Sequence, residues 1–171
     1  ETRVGDIYLG RVEAVIHGLQ AAFVDIGEAR SGFLALPEVR PFGHGDEEDS
    51  IGDYLSEGDA VMVQVQRDAE EDKGAKLTTR VSLSGRDLVY TPDGASVSIS
   101  RRIGNDEDRK RLQAVMAEVS ASGGGGFIVR TAAAEAEDED LAAEAARLRA
   151  RWESVAVARQ DAQAPASLYR E

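Results

Sequence analysis

Residues 5–27 read GDIYLGRVEAVIHGLQAAFVDIG, and this stretch decides the fold. Between residues 4 and 16 apolar side chains alternate with glycines and polar residues, which predicts a β-strand with a bulge at Gly10. A second strand is predicted over Leu19–Ile26, and a third over Ser31–Leu36. Three short strands at this spacing are typical of a small antiparallel barrel.

Two further strands follow a long polar segment. Residues 37–58 are acidic, contain glycines and show no sustained period, so we predict a mobile loop there. Clean alternation then predicts a strand over Ala60–Gln66, and the apolar pattern resumes over Lys76–Leu83. Five strands in about 85 residues predict a β barrel of the OB-fold type, which we assign to residues 1–83.

From residue 84 onwards the pattern changes to that of a small α/β domain, which we assign to residues 84–171. Pro92 and Gly94 suit a tight turn, so strands at Asp87–Tyr90 and Ala95–Ser100 are predicted to form a hairpin. The remaining predicted elements are a helix from Asn105 or Asp106 to about Val119, a strand at Phe127–Val129 and a helix from near Ala134 to about Asp161.

The composition excludes several classes of protein. The 171 residues are 42% hydrophobic and 30% charged, which is ordinary for a globular chain. The absence of cysteine excludes a disulfide framework and suits a reducing compartment such as the cytoplasm. No apolar run approaches the roughly 20 residues of a membrane helix. A net charge of −12 argues against indiscriminate nucleic-acid binding, although a local cationic site remains compatible with it.

The sequence offers no catalytic centre and no metal site. Acidic residues are plentiful, but none stands beside a second acid at a recognisable catalytic spacing, and the run Asp46–Asp49 lacks the spacing of a calcium loop. His17 and His44 are isolated from each other and from a plausible catalytic partner, so each is interpreted as a surface or turn residue.

Two phenylalanines are candidates for base stacking. Phe23 in the second strand and Phe33 in the third are placed to lie side by side on an outer face of the barrel. Alternation alone leaves a second interpretation open, in which both rings belong to the core. Cationic residues favour the stacking interpretation, because rings combined with cations are the surface that single-stranded RNA requires. These cations, placed at turns or strand ends of the same face, are Arg30, Lys73 and Lys76.

Arg130 and Thr131 form a second candidate site. They lie between a predicted buried strand and the start of a predicted helix, where a guanidinium, a hydroxyl and free backbone N–H groups suit a phosphate. The alternative is that Arg130 simply pairs with a nearby acid. Arg101 and Arg102 follow the predicted hairpin and are placed to converge on the same point.

Several of these segments resemble the ribonuclease E/G family. In the barrel the similar segments are Gly5–Val12, Leu19–Gly27 and Gly32–Leu34. In the second half they are Ser100–Ile103, Gly126–Ala132 and Arg151–Glu153. The resemblance therefore runs almost from end to end, and the segments occur in the family's order.

The resemblance implies an RNA-binding barrel of the type named for ribosomal protein S-one, followed by a sensor for RNA 5′ ends that leads into a ribonuclease-H-like segment. Phe23, Phe33 and Lys73 match the family's RNA-contacting positions. The positions that match the 5′-monophosphate pocket are Gly85, Val89, Arg130 and Thr131. The resemblance also implies that the parent enzyme is a homo-oligomer that uses magnesium, with its catalytic aspartates and interprotomer zinc cysteines further along.

The expected function is recognition of single-stranded RNA, preferably 5′-monophosphorylated, within an endoribonuclease of RNA processing and decay. The alternative is an OB-fold domain that binds protein and has no RNA role.

Since the resemblance places the magnesium ligands outside these residues, we expect the isolated chain not to cleave RNA and to hold no cofactor. Incubation of the purified chain with single-stranded RNA and magnesium tests this expectation. Cleavage that persists after contaminating nucleases have been removed would contradict it.

Overall fold

The computed structural model describes residues 1–42 and 48–171, which form two compact units. The first unit comprises residues 1–81 and 155–171, and the second comprises residues 82–154. Part of the loop predicted to be mobile, including His44, lies outside the described residues. Within the described ranges, none of the helices is long and apolar enough to cross a membrane.

The strands, in chain order, are β1 (Ile7–Ile16), β2 (Ala21–Asp25), β3 (Gly32–Ala35), β4 (Ala60–Arg67), β5 (Lys76–Thr78), β6 (Leu83–Ser84), β7 (Leu88–Thr91), β8 (Val97–Ile99), β9 (Gly126–Val129) and β10 (Ala166–Tyr169). The α-helices are α1 (Leu36–Val39), α2 (Asp106–Ala121) and α3 (Asp138–Asp161). Short 3-10 helices occupy His17–Leu19, Ile51–Asp53 and Thr131–Glu135.

The first unit is a closed barrel. Its strands follow the order β1-β2-β3-β5-β4, and β4 pairs with β1 to close the sheet. Alternate residues of β2 and β3 point inward, so Ala22, Val24 and Leu34 are buried in the core while the intervening rings face outward. The predicted OB-fold barrel followed by a small α/β domain is therefore confirmed.

Three details of the first unit differ from the prediction. Gly10 is not a bulge: it is in register with Val61, and a side chain there would collide with Val24. The irregularity between β1 and β2 falls between Val12 and Ala14 instead. In the segment predicted to be a mobile loop, Ile51 and Leu55 are buried in the barrel core.

The predicted strand over Lys76–Leu83 is two strands. Only β5, at its start, joins the barrel, while β6, at its end, joins the sheet of the second unit. The intervening residues leave the ladder, and Thr79 instead donates its backbone N–H to the carbonyl of Glu38 at 3.0 Å.

An additional strand extends the barrel sheet. β10 pairs antiparallel with the first half of β1. β2 pairs with the same edge of β1 further along, from Arg11 onwards. The backbone N–H of Glu171 donates to the carboxylate of Asp6 at 2.9 Å, which fixes the end of this strand against the start of β1. β1 is thus paired along both of its edges.

The predicted hairpin in the second unit is wrong. The tight turn exists, since Gly94 donates its N–H to the Thr91 carbonyl at 2.9 Å, but the sheet order is β6-β7-β9-β8. β9 separates the two strands because its buried Phe127 and Val129 belong at the centre of the sheet. The crossover through α2 brings β9 back parallel to β8.

α2 and the part of α3 up to residue 154 complete the second unit. Asn105 caps α2, as predicted, by accepting hydrogen bonds from the N–H groups of Glu107 and Asp108. α3 begins at Asp138 rather than near Ala134, because Ala136 adopts an extended conformation that interrupts the helix. Four apolar side chains, which form a stripe along one side of α3, are buried: Leu141, Ala145, Leu148 and Val155.

Candidate functional site

The two candidate rings lie side by side on the outside of the barrel. The register of β2 and β3 places Phe23 directly opposite Phe33, and the ring centroids are 5.9 Å apart with the planes at 62°. Phe23 is 37% exposed and Phe33 is half-buried, and neither belongs to the buried core cluster. An edge-to-face pair at this distance leaves ring surface available to a flat ligand.

A groove of about 900 Å³ runs beside the rings. The cationic residues that line it are Arg30, Arg67, Lys73 and Lys76, so the structure brings Lys73 together with both rings. Gly74 makes this arrangement possible, because a side chain at that position would overlap the backbone of Ser31. The Ala75 carbonyl accepts a hydrogen bond from the Phe33 N–H at 2.8 Å, which holds the same loop against β3.

The groove is also acidic. Its lining includes Glu13, Asp68, Glu70 and Asp72, equal in number to the cations. The backbone N–H of Arg3 and then the hydroxyl of Thr2 donate to Asp68, each at 2.7 Å, and these hydrogen bonds lower the pKa of Asp68. Asp68 therefore stays ionised to a lower pH than an ordinary aspartate. Because the charges of the lining residues balance, the groove has no excess of positive charge. Its characteristic feature is therefore the pair of aromatic rings.

The second candidate site lies in the second unit, where β9 ends. The guanidinium of Arg130 donates to the carbonyl of Gly85 at 3.0 Å, and the backbone N–H of Arg130 donates to the Asp87 carbonyl at 2.8 Å. The hydroxyls of Thr131 and Ser100 lie 3.0 Å apart within hydrogen-bond distance. Arg130 and Thr131 are both exposed.

These residues border a pocket of about 520 Å³. Its lining consists of Arg86, Ser100, Arg102, Ile128, Val129, Arg130, Thr131 and Ala132. Gly85 contributes the carbonyl that binds Arg130, and Val89 is the register partner of Ile128 on the adjacent strand. Arg102 reaches this pocket but Arg101 lines a different one, beside Arg109, so the expected convergence holds for only one of the two arginines.

The helix that follows Thr131 differs from the prediction. It is a 3-10 helix of five residues, and α3 starts only at Asp138. The N-terminal end of α3 is therefore not at the pocket, so its helix dipole does not stabilise an anion there. The groups available to an anion there are the guanidinium groups and hydroxyls of the lining residues.

Glu144 supports this site from beneath. Its buried carboxylate accepts hydrogen bonds from the backbone N–H groups of Arg86, Asp87 and Leu88, at distances from 2.7 to 3.3 Å. A side chain on Gly85 would lie 2.7 Å from the carboxylate carbon, so glycine is required for this approach. The carboxylate thus fixes the turn whose carbonyl binds Arg130.

Sequence reasoning missed Arg86, Ser100, Ile128 and Glu144. Arg86 belongs to no motif, while Ser100 and Ile128 stand in the similar segments Ser100–Ile103 and Gly126–Ala132 without having been singled out as site residues, and only the sheet order brings the three together. A signal for Glu144 existed, because it falls three residues after Leu141 on the apolar stripe of α3, where an acid must find a buried partner.

The described residues hold no metal centre: within 1–42 and 48–171, no three histidine, aspartate or glutamate side chains come together in a group that could bind an ion.

The comparisons with known proteins agree with the resemblance. The chain is 40% identical to ribonuclease G of Salmonella typhimurium (strain SL1344) over 98% of its own length and 36% of that protein. It is 36% identical to ribonuclease E of Nostoc sp. over 99% of its own length and 25% of that protein. The chain thus spans about a third or less of the curated relatives it matches.

Among solved structures, the solution structure of GSP13 from Bacillus subtilis matches 47% of this chain and 57% of that one, at 34% identity and a TM-score of 0.39. The model of the ribonuclease E/G family matches residues 82–171, which is more than half of the chain. On this match, the chain belongs to the ribonuclease E/G family.

Proposed function

We propose that this chain recognises single-stranded RNA and the 5′-monophosphate end of that RNA, as the recognition part of an endoribonuclease. The observation that carries the proposal is the ring pair of Phe23 and Phe33, which is exposed beside Lys73 in one groove. Bases stack on exposed aromatic rings whatever their sequence, and lysine attracts the intervening phosphates. Relatives named ribonuclease G and ribonuclease E support the link to RNA cleavage.

We assign the 5′ end to the pocket at Arg130. A terminal phosphate is a dianionic group, and the Arg130 guanidinium with the Thr131 hydroxyl offers it charge-assisted hydrogen bonds. Gly85 orients the guanidinium through its carbonyl, and Val89 lies beside the apolar residue Ile128 that lines the pocket. By the resemblance to the family, the parent enzyme is a homo-oligomer that uses magnesium, and the absence of cysteine fits a place in the cytoplasm.

Arg130→Ala is expected to erase at least a tenfold preference for 5′-monophosphate over 5′-hydroxyl RNA, because one charge-assisted hydrogen bond contributes about 1.5–3 kcal/mol. Binding of internal RNA segments on the barrel is expected to stay nearly unchanged. The measurement compares short oligonucleotides that differ only at the 5′ end, followed by chemical-shift changes of the backbone amides.

The matched control is Arg147→Ala, which removes an exposed arginine of the same unit outside this pocket. If the amides of Arg130 and Thr131 respond identically to both 5′ ends, the sensor assignment is wrong.

A second candidate function is a protein-binding OB-fold, which the four acids of the groove favour. A salt titration separates the two functions. Contacts to phosphates give a negative slope of affinity for RNA against salt concentration, whereas a protein-binding module has no RNA affinity to titrate.

A further inference from the structure

The pocket at Arg130 carries more positive charge than one terminal phosphate needs. Three arginines line it, Arg86, Arg102 and Arg130, and none of its lining residues is acidic. A terminal phosphate brings about −1.5 to −2 charges near pH 7. The three guanidinium groups together exceed that charge, so positive charge remains for another anionic group.

Within the described residues, the side chains of Arg86 and Arg102 bind no other protein group. Their hydrogen bonds come from the backbone: the Arg86 N–H donates to Glu144 at 3.1 Å, and the Arg102 N–H donates to Ser100 Oγ at 3.3 Å. In the described part of the chain neither guanidinium has a hydrogen bond or an ion pair, in contrast to the guanidinium of Arg130, which binds Gly85. Two unpaired guanidiniums that line one pocket form a site for an anion.

The volume of the pocket and its apolar surface suit a ligand larger than a phosphate group. Its volume of about 520 Å³ lies in the range of sites that hold small organic ligands. Ile128, which is 44% exposed, provides an apolar surface between the charged groups. A sugar and base can pack on this surface while phosphates on either side meet the arginines.

We propose that the pocket binds both phosphates of the first nucleotide of an RNA. The 5′-phosphate lies at Arg130 and Thr131, and the phosphodiester on the 3′ side of the same nucleotide lies at Arg86 and Arg102. The smallest complete ligand is then a nucleoside 3′,5′-bisphosphate. This inference rests on the proposed function, because it takes the 5′-phosphate site at Arg130 as given.

The test compares three small ligands on the 171-residue chain at constant salt concentration, by calorimetry or amide chemical shifts. The ligands are adenosine 5′-monophosphate, adenosine 3′,5′-bisphosphate and adenosine 5′-diphosphate. The bisphosphate is expected to bind about tenfold more tightly than the monophosphate, because the second phosphate gains charge-assisted hydrogen bonds. The diphosphate carries as many phosphates at one end only, so it is expected to bind more weakly than the bisphosphate.

Variants locate the second phosphate. Arg86→Gln and Arg102→Gln are each expected to reduce the ratio of bisphosphate to monophosphate affinity towards one. Arg101→Gln is the matched control: it removes the neighbouring charge, which lines another pocket, and is expected to leave the ratio unchanged.

Each alternative result has a distinct meaning. If the diphosphate binds as tightly as the bisphosphate, or if Arg101→Gln lowers the ratio as much as the other two variants, the pocket responds to charge alone and the inference is overturned. If monophosphate binding requires Arg130 but the bisphosphate gains nothing, the inference fails and the proposed function stands. If Arg130→Ala affects none of the three ligands, the 5′-end assignment in the proposed function fails and takes the inference with it.

Discussion

Glu144→Ala is expected to lower the free energy of unfolding of the second unit by about 4 kcal/mol. The buried carboxylate accepts hydrogen bonds from three consecutive backbone N–H groups, those of Arg86, Asp87 and Leu88. Each buried donor left without a partner costs roughly 1–3 kcal/mol. Alanine also leaves the volume of the removed side chain empty beside Gly85.

Denaturant unfolding followed by tryptophan fluorescence measures this loss. The chain has one tryptophan, Trp152, which is half-buried in α3 within the second unit, so its emission reports on that unit. Glu153→Ala is the matched control, because it removes an exposed glutamate from the same helix. Equal unfolding midpoints for the two variants would show that the Glu144 carboxylate does not hold the turn.

The conservative variant Glu144→Gln connects stability to recognition. Glutamine keeps one acceptor oxygen but turns an amide donor towards the backbone N–H groups, so the turn is expected to loosen without unfolding. Because the Gly85 carbonyl in this turn orients Arg130, the preference for 5′-monophosphate RNA is expected to fall in the folded variant. A full preference in that variant would limit Glu144 to a role in stability.

Phe23→Ala is expected to weaken the binding of single-stranded RNA by about tenfold or more. One base stacked on an aromatic ring contributes about 1–3 kcal/mol, and Phe23, which is 37% exposed, offers ring surface for it. Stability is expected to change little, since the ring lies outside the core cluster. Phe33→Ala is expected to reduce both RNA affinity and stability, because the Phe33 ring is half-buried.

Melting curves and RNA-binding curves recorded on the same samples separate these effects. Leu19→Ala provides the matched control: Leu19 is an exposed apolar residue of the first unit, 62% accessible, and does not line the groove. If Phe23→Ala loses stability by the roughly 3–5 kcal/mol typical of a buried aromatic, and this loss accounts for its weaker binding, the ring is structural.

The barrel and its ring pair were accessible from the sequence because strand periodicity is local. Inward Ala22, Val24 and Leu34 alternate with outward Phe23 and Phe33, so the period follows directly from the order of residues. Alternation alone left open which set faces the core, and the nearby cations favoured an outward position for the rings. Lys73 lies in the loop before β5, and this loop is short. The glycine beside it, Gly74, lies where the loop approaches the backbone next to β3. The placement of these residues could be predicted, while their role in binding RNA stays a prediction.

The second unit was harder to predict because its sheet order depends on non-local competition. The turn at Gly94 is real, yet β9 displaces the expected partner strand, since Phe127 and Val129 gain more burial at the centre of the sheet. Arg86 and Ser100 line the same pocket because of that strand order, and no regular spacing along the sequence relates them. The start of α3 was also missed, because acids favour a helix N-terminus without selecting one residue for it.

Because β10 follows the second unit in the chain, the edge of β1 that it covers is completed last during synthesis on the ribosome. The strands of the closed barrel all precede residue 79, whereas β10 is synthesised only after the entire second unit. Half of one edge of β1 therefore has no strand partner while residues 82–154 emerge and fold. A ribosome stalled within α3 would display a finished barrel with an open strand edge, the kind of surface on which neighbouring nascent chains aggregate.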